Sequence, residues 1–484
     1  MVTTGANLGT IFEVQKASST VTELSPISES VLAPAARAAI FQPASAPDKK
    51  HRPRPLSCLL ITNAGMPSLS DSPPELLLLI ADCLPLSDVI NLSSCSRLYR
   101  SCLAPVVCKT VAFGNDQDSA SVALKAVQDH GNLVRKLVFS CGIRADIHEG
   151  CEYPPMSGLL PTDEEDDPDS DDDKYRTLLA ATNTLLSGSL TPRASKLVIR
   201  IELEYWSVHH FDEFFEPVDY DVGGTLQAES KYGSRALMAS VWDAVADNKN
   251  IRSLEVPSLM PKFVSSFETP KFKDFLGSLH EIDLSIFSAH GEDGFAMERG
   301  GYQHFLFGLE YLFFDHTCDL RHLRLECPPD APLGLAEIDL SYIPLPFPVW
   351  PAMPRLNSLE LSRCFICPEL AAFIQYCQAS LRSLRLNCVA CPAFTWDTFF
   401  LELMECVTEL TELVVDPWSP DSYDSHSELS QNQPFFTYAY LKDDAEGLVT
   451  DDTFAKSRGR QNRDRRCYTS LKKLVDSTQA RTRT

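Results

Sequence analysis

Cys364-Phe365-Ile366-Cys367 and Cys388-Val389-Ala390-Cys391 come closest, of all the residues in this chain, to a metal-binding pattern. Four thiolates in two C-x-x-C pairs suit a tetrahedral structural zinc. The surrounding text offers a second explanation. Leu359-Glu360-Leu361 precedes the first pair and Leu384-Arg385-Leu386 the second, and Pro368 and Pro392 follow them. The pairs therefore occupy nearly the same place in two copies of one repeated unit, whose consensus wants Asn or Cys just after a strand. Cys364 falls on that position, and Cys327 and Cys388 fall one residue early. Duplicated text accounts for the spacing without a metal, and packing is the expected role of these thiols. Stacked repeats would still bring the pairs near each other.

A second candidate, His209-His210 near Asp212 and Glu213, is a poor ligand set, because adjacent residues on a strand point to opposite faces. No P-loop, dinucleotide fingerprint, H-E-x-x-H or G-x-S-x-G text is present. No catalytic residue, metal or cofactor is expected, and the chain reads as a non-catalytic protein.

Composition sets the frame for the elements. The chain has 484 residues, of which 44% are hydrophobic and 23% charged. That is an ordinary globular balance with chain for about three domains and a large core. Asp and Glu number 66 against 43 Lys and Arg, for a formal charge of −23. Such a chain repels nucleic acid and anionic membrane overall, so neither is an expected partner. No uncharged apolar run reaches the roughly 18 residues of a spanning helix. The start, Met-Val-Thr-Thr-Gly, has no basic opening, and Glu13, Glu23 and Glu29 interrupt any apolar block, so no secretory signal is expected. The 16 cysteines then read as reduced thiols of a cytoplasmic or nuclear protein.

Residues 1–66 are rich in Ala, Ser, Thr and Pro and read as a disordered N-terminal region. Within them Lys49-Lys50-His51-Arg52-Pro53-Arg54 is either an import signal or a solvated charge run. From Leu69 the pattern changes. Ser72-Pro73-Pro74-Glu75 reads as a capping box opening a helix, Leu76, Leu79, Ile80 and Leu84 share one face, and Pro85 stops it. A second short helix from Ser87 carries Val89, Ile90 and Leu92, and a third from Ser96 carries Leu98 and Leu103 and ends before Pro105. Three short helices make a module with little core and surplus apolar surface, which implies a partner.

This segment, residues 67–112, resembles an F-box, in particular the form found in F-box proteins of filamentous fungi. The residues that carry the likeness are Pro73, Glu75, Leu76, Leu77, Ile80, Leu84, Pro85, Asp88, Leu92, Cys95, Arg97, Leu98 and Tyr99. Ser72, Ala81 and Tyr99 depart from the usual Leu, large apolar residue and Trp. The resemblance implies docking on a Skp-family adaptor within a cullin–RING ubiquitin ligase, through Pro73, Pro74, Leu76, Leu77, Ile80, Leu84, Leu86, Val89 and Leu92. It also implies that the rest of the chain holds a protein substrate. A ligase-independent scaffold is the alternative.

After the module a short text recurs. Leu320-Arg-His-Leu323-Arg-Leu325, Leu356-Asn-Ser-Leu359-Glu-Leu361 and Leu381-Arg-Ser-Leu384-Arg-Leu386 have the L-x-x-L-x-L form. Looser copies start at Val134, Ile251, Leu279 and Leu410, and the weakest at Ala194. Three of the five later intervals lie in or near the period of leucine-rich repeats, roughly 20–29 residues, and the longer ones need insertions. Helical stripes lie between the copies: Leu237, Val241 and Val245; Leu370, Phe373, Ile374 and Cys377; Phe399, Phe400, Leu403 and Met404. The expected fold is α/β: a small N-terminal helical F-box, then a leucine-rich-repeat-like α/β solenoid with irregular insertions over 113–418. A doubly wound sheet is the competing architecture. Gly223-Gly224 and Gly300-Gly301 read as turns.

Two charged segments interrupt this pattern. Asp163 to Asp173 holds nine acids in eleven positions and reads as a solvated acidic loop near 160–175. Residues 456–484 hold ten Lys or Arg and two acids, so 419–484 reads as a largely disordered basic tail.

Overall fold

The computed structural model describes residues 73–144, 177–204, 215, 222–287, 300–327, 333–334, 345–347, 353–390, 395–406, 409–416, 439–444, 447–451 and 458–483. The basic cluster at 49–54, the acidic run at 163–173, Cys391 and the His209-His210 group lie outside the described residues.

Among the described residues three short helices come first: α1 (Pro74–Asp82), α2 (Leu86–Cys95) and α3 (Arg97–Val107). Helix α1 opens differently from the expected capping box. Pro73 is its N-cap, no side chain caps it, and Pro74 fills the first turn. A proline costs little there, because its missing N–H would be unpaired anyway. Helix α3 does have a side-chain cap, since the Ser96 hydroxyl accepts the Tyr99 amide at 3.1 Å. It also runs through Pro105 instead of ending before it. Helix α3 packs against both α1 and α2. Leu77, Ala81, Val89, Tyr99 and Leu103 form their shared core, which is distinct from the main core.

The rest of the fold is α/β. Nine strands run parallel in strict chain order: β1 (Thr110–Gly114), β2 (Lys136–Arg144), β3 (Lys196–Glu204), β4 (Ser253–Leu259), β5 (Glu281–Ile286), β6 (His322–Glu326), β7 (Ser358–Ile366), β8 (Ser383–Ala390) and β9 (Glu412–Val415). The weakest sequence copy, at Ala194, leads into one of the longest strands, which pairs with β2 at nine successive positions. Beyond the end of β9, β10 (Ala439–Asp444) takes over the edge of β8 in the antiparallel sense, and β11 (Gly447–Asp451) pairs antiparallel with β10.

The repeated text explains the register. The first apolar residue of each copy is buried just ahead of its strand, from Val134 and Ala194 through Ile251, Leu279, Leu320, Leu356 and Leu381 to Leu410. The second forms one column, Leu254–Ile282–Leu323–Leu359–Leu384–Leu413, and the third another, Leu284–Leu325–Leu361–Leu386–Val415. Each fully buried Leu or Ile contributes about 1.5–3 kcal/mol relative to exposure, and a one-residue slip would turn a whole column outward. Burial alternates along β5, β6, β9 and the first half of β4, so among the described residues helices cover one sheet face and the other stays partly exposed.

The remaining α-helices among the described residues are α4 (Gln117–His130), α5 (Ala180–Leu186), α6 (Val222–Lys231), α7 (Gly233–Ala246), α8 (Pro270–Gly277), α9 (Gly300–Leu312), α10 (Pro368–Cys377), α11 (Trp396–Cys406) and α12 (Arg458–Arg483). The three expected stripes lie on α7, α10 and α11 and face the core, with Met404 only partly buried. The glycine pairs expected in turns instead sit in the first turns of α6 and α9. Gly188 is the position where glycine is needed: its φ is +71°, and an added Cβ would lie 2.4 Å from the buried Asn248 side chain.

The C-terminal segment corrects the expectation of a largely disordered basic tail. Residues 458–483 form α12, which packs on α11, β9 and β11. Cys467, Leu471 and Val475 join the main core, and Tyr468 lies 5.4 Å from Phe400. Arg463 pairs with the buried Asp397 at 2.7 Å, and Lys472 donates to the Leu413 carbonyl at 3.1 Å. The physical reason is spacing. The apolar residues recur every fourth position beneath a charged outer face, and that stripe covers the apolar flank of the last units, which would otherwise face water.

Candidate functional site

The three-helix module sorts its apolar residues into two sets. Of the residues expected to dock an adaptor, Leu77 and Val89 are fully buried and hold the module together, so they are not available as surface contacts. Leu92 is half-buried against the same core. Pro73 and Pro74 are exposed where they start α1. Leu76 (49% exposed), Ile80 (38%), Leu84 (37%) and Leu86 (52%) face solvent. Three further residues are also exposed: Leu79 at 60%, Ile90 at 45% and Leu98 at 49%. The continuous run Leu76-Leu77-Leu78-Leu79-Ile80 hides this division, because every face of α1 carries a large apolar residue near its start. Tyr99 and Leu103 of α3 decide it by covering Leu77 and Ala81. Seven large aliphatic side chains exposed on the three helices and the turn between the first two form a surface of the kind that protein partners cover.

The cysteine pairs resolve into a different arrangement. Cys364 and Cys367 are fully buried and Cys388 nearly so. Cys364 does not stack with Cys367. It stands between two neighbouring strands, 3.4 Å from the Cys327 sulfur, with Cys388 on its other side. Cys327, Cys364 and Cys388 form a column because β7 carries one extra residue. Arg363 takes a left-handed conformation, with φ +59°, between Ser362, which pairs with Asn387, and Phe365, which pairs with Val389. The repeat position of Cys364 is therefore the displaced one, and the bulge brings it back level with its neighbours. Arg363 itself turns out to meet Glu326 at 3.1 Å.

Hydrogen bonding with Cys327 and Cys388, which holds the protonated thiol, and then burial raise the Cys364 pKa well above that of an ordinary thiol. Burial pushes Cys377 up to about 12 and Cys406 to about 11. Among the described residues no group of three or more His, Cys, Asp or Glu side chains has the arrangement to hold a metal ion.

The open face of the sheet carries charge in register. Glu255, Asp283, Arg324, Glu360 and Arg385 occupy one column across β4 to β8. Lys196 meets Glu255 at 2.8 Å, and Arg324 lies within 3.3 Å of Asp283, Glu326 and Glu360. Burial pushes the Asp283 carboxyl up despite Arg324. Burial also acts to raise Glu255, but Lys196, Lys136 and Arg200 outweigh it and its pKa is lowered. This face is a polar surface able to read charge pattern on a partner. Among the described residues no helix is long and apolar enough to cross a membrane. No family model matches the chain, and no curated protein matches it.

Proposed function

We propose that this chain is the substrate-recognition subunit of a Skp–cullin–F-box ubiquitin ligase. The observation that carries the proposal is the exposed apolar face of the three-helix module, from Leu76, Leu79 and Ile80 to Leu84, Leu86, Ile90 and Leu98. A module this small buries Leu77, Ala81, Val89, Tyr99 and Leu103 to fold and leaves those seven side chains for a partner. The resemblance of residues 67–112 to an F-box makes that partner a Skp-family adaptor, which links to a cullin scaffold.

The sheet region is read as a leucine-rich-repeat-like solenoid. All-parallel sheets normally have both faces covered. A sheet in strict chain order with one open face fits a stack of strand–helix units and lacks the order reversal of a doubly wound sheet. Its open charged face would hold the protein substrate. The chain itself would supply position, turning an encounter with ubiquitin-loaded enzyme into an effectively unimolecular step. The transfer chemistry would belong to other subunits, in the cytoplasm or nucleus.

Capture of adaptor and cullin together by the full chain tests the reading. Capture of the adaptor without cullin would favour a ligase-independent scaffold. Unchanged adaptor capture after Leu76→Ala, Ile80→Ala and Leu84→Ala together would refute docking through this face.

A further inference from the structure

The turns that lead into β6, β7 and β8 enclose an open cavity of about 590 Å³. Arg321, Arg355 and Arg382 line it, with His322, Asn357 and Ser380. It lies at the edge of the sheet where these strands begin, and the register that builds the sheet also builds this wall. The Asn357 amide donates to the Arg321 carbonyl at 2.8 Å, and the Arg382 amide to the Asn357 carbonyl at 2.8 Å. Arg321 and Arg382 therefore stand two strands apart, roughly 9.6 Å at the usual strand separation.

The charge of the wall runs against that of the chain. In a protein of net charge −23, three guanidiniums line this wall with two carboxylates beside them. Arg355 reaches back to Asp319 at 2.6 Å, and Arg382 reaches forward to Glu409 at 3.4 Å. Neither pairing exhausts a guanidinium, which carries five donors. Arg321 is exposed and makes no side-chain hydrogen bond or ion pair with the described residues. His322 is exposed beside it and is likewise without one.

We infer that this cavity binds an acidic peptide segment of a protein partner, with two or more carboxylates along an extended chain. The spread of the cations selects this ligand over a single phosphate. Arg355 and Arg382 splay toward opposite turns, so the three guanidiniums do not converge on one point. A row of carboxylates matches them better, because alternate side chains of an extended peptide lie about 6.6–6.8 Å apart on one face. The occupied pairs with Asp319 and Glu409 show that carboxylate is already the anion these arginines accept. The assignment of that peptide to a ubiquitination substrate rests on the proposed ligase reading, but the binding itself does not.

The test uses the full chain and a fluorescein-labelled peptide of alternating Glu and Ser, read by fluorescence anisotropy. Two controls share the frame: one with Gln for every Glu, and one with Gln for every Glu and a single phosphoserine. The Glu peptide is expected to bind at low salt and weaken as salt rises, and the Gln peptide not to bind. Arg321→Gln should weaken binding roughly tenfold or more, with an unchanged melting temperature because the side chain is exposed and unpaired. Absence of binding, equal binding by R321Q, or tighter binding of the phosphoserine peptide would each overturn the inference. The two readings fail separately. Adaptor capture that fails while R321Q-sensitive peptide binding persists sinks the ligase reading alone, and the reverse sinks this one alone.

Discussion

Leu76→Ala, Leu79→Ala and Leu86→Ala combined should separate partner binding from folding in the helical module. These side chains are 49%, 60% and 52% exposed, so about half of each is left to be covered by a partner. Full burial of a Leu side chain is worth about 1.5–3 kcal/mol, so docking stands to gain about 0.8–1.5 kcal/mol from each. Losing all three should weaken adaptor affinity by about 2.4–4.5 kcal/mol, or roughly 50- to 1,600-fold. Leu77→Ala is the contrasting change. Leu77 is fully buried between α1 and α3, and truncation there should cost about 2–5 kcal/mol of module stability. Isothermal titration with purified adaptor measures the first effect, and hydrogen exchange of residues 74–107 reads the second. The triple variant should keep native protection of α1 to α3 and lose affinity, while L77A should lose both. Affinity within threefold of the parent for the triple variant, with the module intact, would refute the assignment of this face to the adaptor.

Three more outcomes follow from other parts of the molecule. Native protein treated with a thiol reagent should label the exposed Cys83, Cys95 and Cys318 and spare the buried Cys327, Cys364 and Cys388, and chelator should leave the melting transition unmoved. A stoichiometric metal signal lost on mutation of Cys364 would contradict this. Leu471→Ala, at a fully buried position on α12, should cost about 2–5 kcal/mol and render 458–483 sensitive to protease, whereas equal resistance of variant and parent would show that the helix does not cap the core. The lowered pKa of Glu255 means its ionised form favours the folded state: that contribution is complete above the unfolded value, near 4.5, and is lost as pH falls through the lower folded value. Glu255→Gln should therefore flatten the fall of melting temperature in that acid range, and an unchanged slope would show that its pairing with Lys196 contributes nothing.

The strands were legible because each L-x-x-L-x-L copy fixes its own inward positions with period two, and stacking leaves those positions unchanged. The stripes on α7, α10 and α11 were legible for the same reason at period 3.6. Elsewhere local pattern was degenerate. Five successive apolar residues from Leu76 to Ile80 carry no information on which face turns inward, and only the placement of Tyr99 and Leu103 selects Leu77. In the C-terminal segment, ten cations masked a stripe of Cys467, Leu471 and Val475 that has meaning only once the flank of β9 and α11 is there to receive it. Cys327, Cys364 and Cys388 meet because a bulge at Arg363 shifts one strand by a residue, and Arg321 and Arg382 share a wall because Asn357 pairs its backbone with both. Sequence alone determined which residues are buried where an element carries a clear period of its own, as in the strands and in α7, α10 and α11. Tertiary structure decided which elements meet and which surfaces stay open, since those depend on contacts between residues that no local spacing relates.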